Sequence, residues 1–329
     1  MPSRPTERAD RTRERPLIAV AMVNWNGADD TLTAFESLKQ SSYPAWSLIV
    51  VDNASADDSV AKLRAARGLR LVESAENLGF AGGCNLAIPA ARELGAQYLF
   101  FLNNDATVNA ETLENLVAAS RTLDDREALG AVIRFERDGT LQFWGSRASA
   151  VGMPIWSPPS EALFAQAPEL IETNFIMGAS LFVPMQLLDE VGPFDERFFL
   201  NYEETDWCYR ARRAGHRCLM VKNALITHKG GAAIGAASGP MQVYFMRRNA
   251  LLLAEKHCTP KQYATLYVRQ VASIFTRLLG SMLGRRDDPR FSKLAVRANA
   301  LATRDYILRR FGDCPPIIRK MATAGRASH

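Results

Sequence analysis

Short apolar runs alternate with helix-compatible segments over the first 125 residues of the chain. Four runs have the character of buried strands, at 17–23, 47–52, 69–73 and 97–102. The segments around them have helical character, at 28–40, 57–67, 82–94 and 109–122. Strands that are apolar throughout are typical of a parallel sheet covered on both faces. The pattern therefore predicts an α/β fold with a mostly parallel sheet flanked by helices.

The regular alternation stops near residue 130. The stretch 145–159 is rich in Pro, Gly and Trp, which predicts a long loop or a short hairpin. Beyond it the pattern predicts strands over 174–183 and 217–221 and helices over 185–191, 203–214 and 240–257. A loop rich in Gly and Ala follows residue 229.

The chain ends in a basic segment. The net charge is +5, but residues 269–329 carry 13 Lys/Arg against 4 Asp/Glu, so the rest is mildly acidic. Apolar residues from Val268 to Leu283 recur on one helical face, with Arg269 and Arg277 opposite, and a second helix is predicted over 290–311. Such a C-terminal helical extension can rest on an anionic membrane, pack on the body or form a homodimer contact. Nucleic acid is excluded as a partner, because the body is acidic and carries no recognition motif.

The N-terminus and the cysteines bear on location. Residues 1–15 are charged and lack an apolar core, which predicts a disordered leader, and no apolar run reaches the roughly 18 residues that span a bilayer. The five cysteines form no Cys-x-x-Cys pair. An odd, scattered set is typical of a reducing compartment, so we expect a cytoplasmic protein, or one peripheral at the inner face of the cell membrane.

Polar clusters follow three of the predicted strands: Asn24-Trp25-Asn26, Asp52-Asn53-Ala54-Ser55 and Asn103-Asn104-Asp105. Each cluster alone can be explained as a turn or a helix cap. Because ligands of open parallel sheets bind beyond the carboxyl ends of the strands, three clusters together favour a nucleotide site. The glycines of 77–85 permit close approach to a ligand, although a Gly-x-Gly-x-x-Gly fingerprint is absent.

A second carboxylate cluster, Glu203-Glu204-Thr205-Asp206, precedes a predicted helix. At a helix N-terminus the positive end of the dipole favours an ionised carboxylate that can act as a base. Helix capping is the alternative interpretation.

Several segments together resemble the family 2 glycosyltransferases with the GT-A fold, and within them the bacterial rhamnosyltransferase-like branch. They are VVDNAS, NLGFAGGCN, FLNND, GPFDERFFLNYEETDWCYRARRAG and the later His228. The resemblance covers about residues 17–258. It implies three parts: a leader over 1–15, a GT-A domain over 16–258 and a basic helical tail over 259–329.

The resemblance also implies roles at the donor site. Asp52 would read a pyrimidine base, Asn103 would face the ribose, and Asp105 would bind Mg²⁺ or Mn²⁺ with His228 as a further ligand. Asn103 stands where the family has an aspartate, which leaves fewer anionic metal ligands. The remaining nucleotide-sugar contacts expected are Asn24, Asn77, Gly79, Asn85, Asn104 and Arg248, the last as a cation for the diphosphate.

For catalysis the resemblance implies Glu204 as the base and Glu203 as an acceptor contact, although the choice between the two carboxylates stays open. The expected activity is inverting transfer of a sugar from a UDP- or dTDP-activated donor, with dTDP-rhamnose one candidate. The acceptor would be a glycan or a lipid-linked sugar in cell-surface polysaccharide synthesis. Two alternatives are a nucleotidyltransferase and a non-catalytic module that binds nucleotide sugars.

Overall fold

The structure is a computed structural model that describes residues 15–230, 239–282 and 293–326. The expected disordered leader and most of the glycine-rich loop after residue 229 lie outside the described residues. The strands are β1 Ile18–Asn24, β2 Trp46–Asp52, β3 Leu69–Glu73, β4 Tyr98–Leu102, β5 Ala106–Val108, β6 Ala128–Phe135, β7 Leu141–Phe143, β8 Ser146–Ala148, β9 Pro154–Trp156, β10 Leu170–Thr173, β11 Ser180–Pro184 and β12 Cys218–His228.

The helices flank this strand set and extend beyond it. They are α1 Ala28–Lys39, α2 Ser59–Ala65, α3 Gly79–Glu93, α4 Thr112–Thr122, α5 Glu161–Ala165, α6 Met185–Val191, α7 Glu203–Arg213, α8 Pro240–His257, α9 Pro260–Met282, α10 Lys293–Ile307 and α11 Pro316–Arg326.

One large mixed sheet runs through the described part of the chain, in the order β10-β12-β6-β11-β4-β1-β2-β3. Strands β4, β1, β2 and β3 pair in parallel, as do β6 and β12. Strand β11 lies antiparallel between β4 and β6 and joins these two halves. Most residues of β1, β4 and β6 are fully buried, as expected for strands with helices on both faces.

The second half of the sheet departs from the predicted elements. Of the predicted strand over 174–183, only the second half is a strand, β11, because residues 174–179 form a turn, and β10 lies just before the predicted segment. Strand β6 begins where the pattern loses its regularity. The predicted short strand at 217–221 continues through a bulge to His228. The predicted hairpin in 145–159 is confirmed as β8–β9.

The C-terminal helices pack on the body through an unexpected face. Gln270 on α9 is buried and donates to the carbonyl of Arg247 and to Thr303, while Ser273 accepts from Asn299 on α10. Five apolar residues of α9 instead face solvent, whereas Tyr263, Leu266 and Tyr267 near its start pack against the body; the exposed ones are Val268, Phe275, Leu278, Leu279 and Met282. Among the described helices, none is long and apolar enough to cross a membrane.

Candidate functional site

A cavity of about 210 Å³ lies at the carboxyl ends of β1, β2 and β4. The polar clusters that follow these strands meet there because parallel strands end at the same edge of a sheet. The lining residues are Val23, Trp25, Asn26, Gly27, Asp30, Asn53, Asn77, Gly79, Phe80, Asn103, Asn104, Asp105, Phe199, Leu200, Met241 and Arg319. Five of the twelve residues predicted for the site are in this wall: Asn77, Gly79, Asn103, Asn104 and Asp105.

Asp52 and Asn24 lie behind the wall rather than in it. They are register partners on β2 and β1, and Asn24 donates to Asp52 Oδ2 at 2.8 Å. Ser55 donates to the same oxygen at 2.6 Å, and its backbone N–H donates to Oδ1 at 3.0 Å. The turn interpretation of this cluster therefore describes the observed contacts, and a base would reach Asp52 only after these hydrogen bonds rearrange.

The glycine segment is held against the ends of β1 and β2 by Asn53. Its side chain donates to Asn77 Oδ1 and the Gly79 carbonyl and accepts from the Leu78 N–H. Gly79 has φ +72°, and a β-carbon there would lie 2.2 Å from the Phe199 carbonyl oxygen. Only glycine fits this close approach, which brings the segment and Phe199 together at the cavity.

The end of β4 and the end of β12 bring Asp105 and His228 together. His228 Nε2 lies 3.0 Å from Asp105 Oδ1 and 3.1 Å from Asn103 Nδ2, and Nδ1 lies 2.9 Å from Gln142 Oε1. A proton on Nδ1, donated to Gln142, would leave the Nε2 lone pair to accept from Asn103 or to bind a cation shared with Asp105. A proton on Nε2 would instead form a direct hydrogen bond to Asp105.

This pair fits a divalent ion through its donor chemistry. A carboxylate oxygen and an imidazole nitrogen suit Mn²⁺, and Gln142 supplies the outer hydrogen bond that orients a metal-binding histidine. No group of three His, Cys, Asp or Glu residues with metal-binding geometry occurs within 15–230, 239–282 and 293–326. Two protein ligands leave room for phosphate oxygens and water, as is usual for Mg²⁺ and Mn²⁺ with nucleotides.

Glu203 and Glu204 are adjacent carboxyl groups at the N-terminus of α7, one layer behind the cavity wall. A β-carbon at Gly178 would lie 3.0 Å from Cε1 of Phe80, a wall residue, and 3.8 Å from Cβ of Glu204. Burial, together with the charge of Glu204, raises the pKa of Glu203 well above its usual range. Burial also raises the pKa of Glu204, although hydrogen bonds from the backbone, Glu203 and Thr205 oppose the rise.

This arrangement corrects the expectation that the helix N-terminus keeps the base readily ionised, because burial outweighs it. The surroundings favour the charged form on Glu204, which is partly exposed and accepts a hydrogen bond from Thr205 Oγ1 at 3.1 Å, over Glu203, which is fully buried with no partner for its Oε2 among the described residues. Asp206 in the same turn is fully buried. Burial raises its pKa, but bonds from His257 and Lys256 outweigh that effect and lower it.

The structure places Arg248 and Asn85 away from the cavity. Arg248 is fully buried and donates to the carbonyls of Gly312 and Phe198 at 2.6 and 3.1 Å. Asn85 exchanges hydrogen bonds with the backbone of Phe194. The expected diphosphate contact of Arg248 and nucleoside contact of Asn85 therefore do not match their positions, since both hold loops in place.

The cavity also contains residues that the sequence did not single out as ligands. Asp30 comes from α1 and Arg319 from α11, and Gln142 on β7 supports His228 from behind. Trp25 belongs to the polar cluster that follows β1, so its position at a strand end could have marked it as a cavity residue. Gln142 and Arg319 reach the site from far along the chain, and no local pattern marks them.

Comparisons with known proteins identify the family of the chain. A family model described as "Glycosyl transferase family 2" matches residues 19–191. The chain is 24% identical over 221 residues to the dTDP-rhamnosyl transferase RfbF of Shigella flexneri, covering 65% of this chain and 72% of that protein. It is also 24% identical over 234 residues to the N-acetylglucosaminyl-diphospho-decaprenol L-rhamnosyltransferase of Mycobacterium tuberculosis, covering 64% and 75% of the two chains.

A solved structure shares the architecture. The mannosyltransferase PcManGT from Pyrobaculum calidifontis, determined in complex with GDP-Man and Mn²⁺, superposes with a TM-score of 0.57 at 15% identity, covering 91% of this chain and 89% of that one. The expected GT-A fold is thereby confirmed. With a family model that matches more than half of the chain, this protein belongs to glycosyl transferase family 2.

Proposed function

We propose that this glycosyltransferase is inverting and divalent-metal-dependent, and that it uses a UDP- or dTDP-activated sugar. The observation that carries the proposal is the Asp105–His228 pair, 3.0 Å apart, beside a cavity built from strand-end asparagines. dTDP-rhamnose is the first donor to test, because RfbF is named for it. The acceptor is a glycan or a lipid-linked sugar, as in the name of the mycobacterial relative.

In the proposed reaction Glu204 takes the proton from the acceptor hydroxyl. The acceptor oxygen then forms a bond to C1 of the donor sugar from the face opposite the diphosphate. The bond between C1 and the diphosphate oxygen breaks, and its electron pair leaves with the nucleoside diphosphate. Glu203, protonated beside Glu204, donates a hydrogen bond that holds the carboxylate of Glu204 in place.

Asp105 and His228 would hold the divalent ion, which when bound neutralises the charge of the leaving diphosphate. Asn103, bonded to His228 Nε2, remains the candidate for a ribose contact, and Asn104 and Asn77 for further contacts of the nucleoside. Asn24 and Asp52 lie behind this pocket, where their mutual hydrogen bond supports the wall, and both remain candidates for nucleoside contacts.

The exposed apolar face of α9 supports a membrane location. Phe275 is 67% and Met282 74% exposed, and basic residues such as Arg269 lie on the same helix. Apolar side chains beside basic ones are the combination that binds an anionic lipid surface. A lipid-linked acceptor would be met there, at the inner face of the cell membrane. The division into a GT-A domain to residue 258 and a tail beyond it is kept as part of this proposal.

The test is a donor screen combined with metal removal. Purified protein is assayed for release of nucleoside diphosphate from UDP-, dTDP- and GDP-sugars, with and without EDTA. We expect turnover of one UDP- or dTDP-sugar, loss of that turnover in EDTA, and recovery with Mn²⁺ or Mg²⁺. Full activity in EDTA would remove the metal role of Asp105 and His228. Binding of nucleotide sugars without transfer or hydrolysis would favour the non-catalytic module, and release of pyrophosphate would favour a nucleotidyltransferase.

A further inference from the structure

The C-terminal helix α11 forms part of the wall of the donor cavity. Cys314, Ile318 and Met321 are buried in a cluster with Phe199 and Met241, and the last two line the cavity. The tail therefore shares a small core with the donor site, and α11 cannot leave without exposing that core.

Arg319 projects from α11 to the cavity. Its guanidinium carbon lies 5.3 Å from the ring centre of Trp25, which follows β1. Its Nε and Nη2 both donate to Oδ2 of Asp313, at 3.0 and 2.7 Å. The indole face and the carboxylate together hold the guanidinium in the wall of the cavity, beside the end of β1.

The charges that line the cavity indicate what Arg319 could bind. Among its lining side chains in the described residues, Asp30 and Asp105 are acidic and Arg319 is the single cation. Asp30 is already paired with Lys229 at 2.5 Å. A nucleoside diphosphate adds further negative charge to this acidic cavity, so its binding needs positive charge beyond that of a metal ion at Asp105.

We infer that Arg319 is a donor-binding residue whose guanidinium contacts the diphosphate of the nucleotide sugar. The inference deepens the proposed function and rests on it. The planar fork of arginine suits paired phosphate oxygens, and Trp25 beneath it fixes the plane of the fork. The pair with Asp313 is partly exposed, with 29% and 41% of the two side chains accessible, so it exchanges for phosphate at small cost. The basic tail thereby contributes a residue to the site itself.

The test compares three variants of the full chain. Arg319→Gln removes the charge, Arg319→Lys keeps the charge without the fork, and Lys320→Gln removes an exposed charge from the next position of the same helix. Calorimetry measures UDP and dTDP in Mg²⁺, and saturation-transfer NMR measures uridine and thymidine, which lack phosphate. Thermal melting confirms that each variant is folded.

We expect Arg319→Gln to weaken diphosphate binding about 10-fold or more while nucleoside binding is retained, with Arg319→Lys intermediate and Lys320→Gln unchanged. Equal diphosphate affinity of Arg319→Gln and wild type would overturn the inference alone. An equal loss for nucleoside and diphosphate would also overturn it, because it would indicate a packing role. If the wild-type protein binds none of these nucleotides, the proposed function fails as well, so the two failures are distinguishable.

Discussion

At the scale of single residues, the two carboxyl groups at the start of α7 have different environments although they are neighbours in sequence. Glu203 is buried and its Oε2 has no hydrogen-bond partner within the described residues, while Glu204 is partly exposed and accepts several hydrogen bonds. Burial and the missing partner of its Oε2 therefore disfavour the charged form of Glu203, and Glu204 is the carboxylate better placed to act as a base.

Substitution of the two glutamates by glutamine separates their roles. We expect Glu204→Gln to lower kcat about 10²–10⁴-fold, because a general base is lost, with nucleotide binding unchanged. Glu203→Gln serves as the matched control, since its amide can still donate to Glu204, and it should keep kcat within about 10-fold of wild type. Steady-state kinetics with the donor found in the screen measure both. A normal rate for Glu204→Gln with loss of activity in Glu203→Gln would reverse the assignment.

The raised pKa of Glu204 predicts the acid side of the pH profile. The active form is the carboxylate, so kcat/KM falls as pH decreases through a pKa above the ordinary 4.5 of glutamate. Glu203→Ala removes a hydrogen bond that favours the ionised form, which raises the pKa of Glu204 further. We expect this variant to shift the acid limb to higher pH and Glu203→Gln to leave it in place. An unchanged limb in Glu203→Ala would show that the limb belongs to another group.

At the scale of elements, the start of α3 is fitted against the loop before α7. Gly79 combines φ +72° with contact to Phe199, whereas Gly95 has φ +68° and no atom within 4 Å of a built β-carbon. Gly79→Ala should lower the free energy of unfolding by about 2–4 kcal/mol, from backbone strain and overpacking together. Gly95→Ala is the control for strain alone and should cost about 1 kcal/mol. Chemical denaturation measures both, and equal losses would mean that the close approach to Phe199 is not tight.

Helix α9 provides the second prediction at this scale. Phe275→Glu and Leu279→Glu place charges on the exposed apolar face, and Thr276→Glu places the same charge at another exposed position of the helix. We expect the first two to reduce co-sedimentation with vesicles rich in phosphatidylglycerol about 10-fold, and the third to reduce it less. If the three variants sediment alike while the first two convert a dimer to a monomer, the face is a contact between two copies instead.

At the scale of the whole molecule, the parallel half of the sheet was predictable and the other half was not. Strands β1, β2 and β4 are largely apolar runs between helices and β3 is a short strand at the sheet edge, and the bounds of all four agree with the pattern to within a few residues. Strand β11 was predicted to begin six residues too early, at 174, because the turn before it contains apolar residues such as Phe175 and Ile176 that are buried like those of a strand, and β10 was not predicted. Its antiparallel insertion between β4 and β6 depends on long-range pairing that no local period encodes.

The candidate site likewise has parts that could be predicted from the sequence and parts that could not. The meeting of three strand-end clusters follows from parallel pairing and was predictable, as was the second carboxylate cluster at a helix start. The burial of Arg248 away from the cavity and the position of Arg319 in the cavity wall were not, because both depend on how α8, α10 and α11 pack. Arg248 and Arg319 are both arginines in helical segments, so the sequence does not distinguish them. Only their tertiary contacts show that Arg248 binds loop carbonyls and that Arg319 lies at the cavity.

The insertion of β11 has a consequence for synthesis on the ribosome. β4 pairs with β1 on one side and with β11 on the other, and β11 ends only at Pro184. The nascent chain therefore carries the free edge of β4 while roughly 80 further residues are made, which takes several seconds at about 5–20 residues per second. An open strand edge can pair with other chains. The edge of β6 that pairs with β12 stays open for longer, because β12 ends only at His228. The four parallel strands β1 to β4 are thus complete in sequence well before the open edge of β4 is covered.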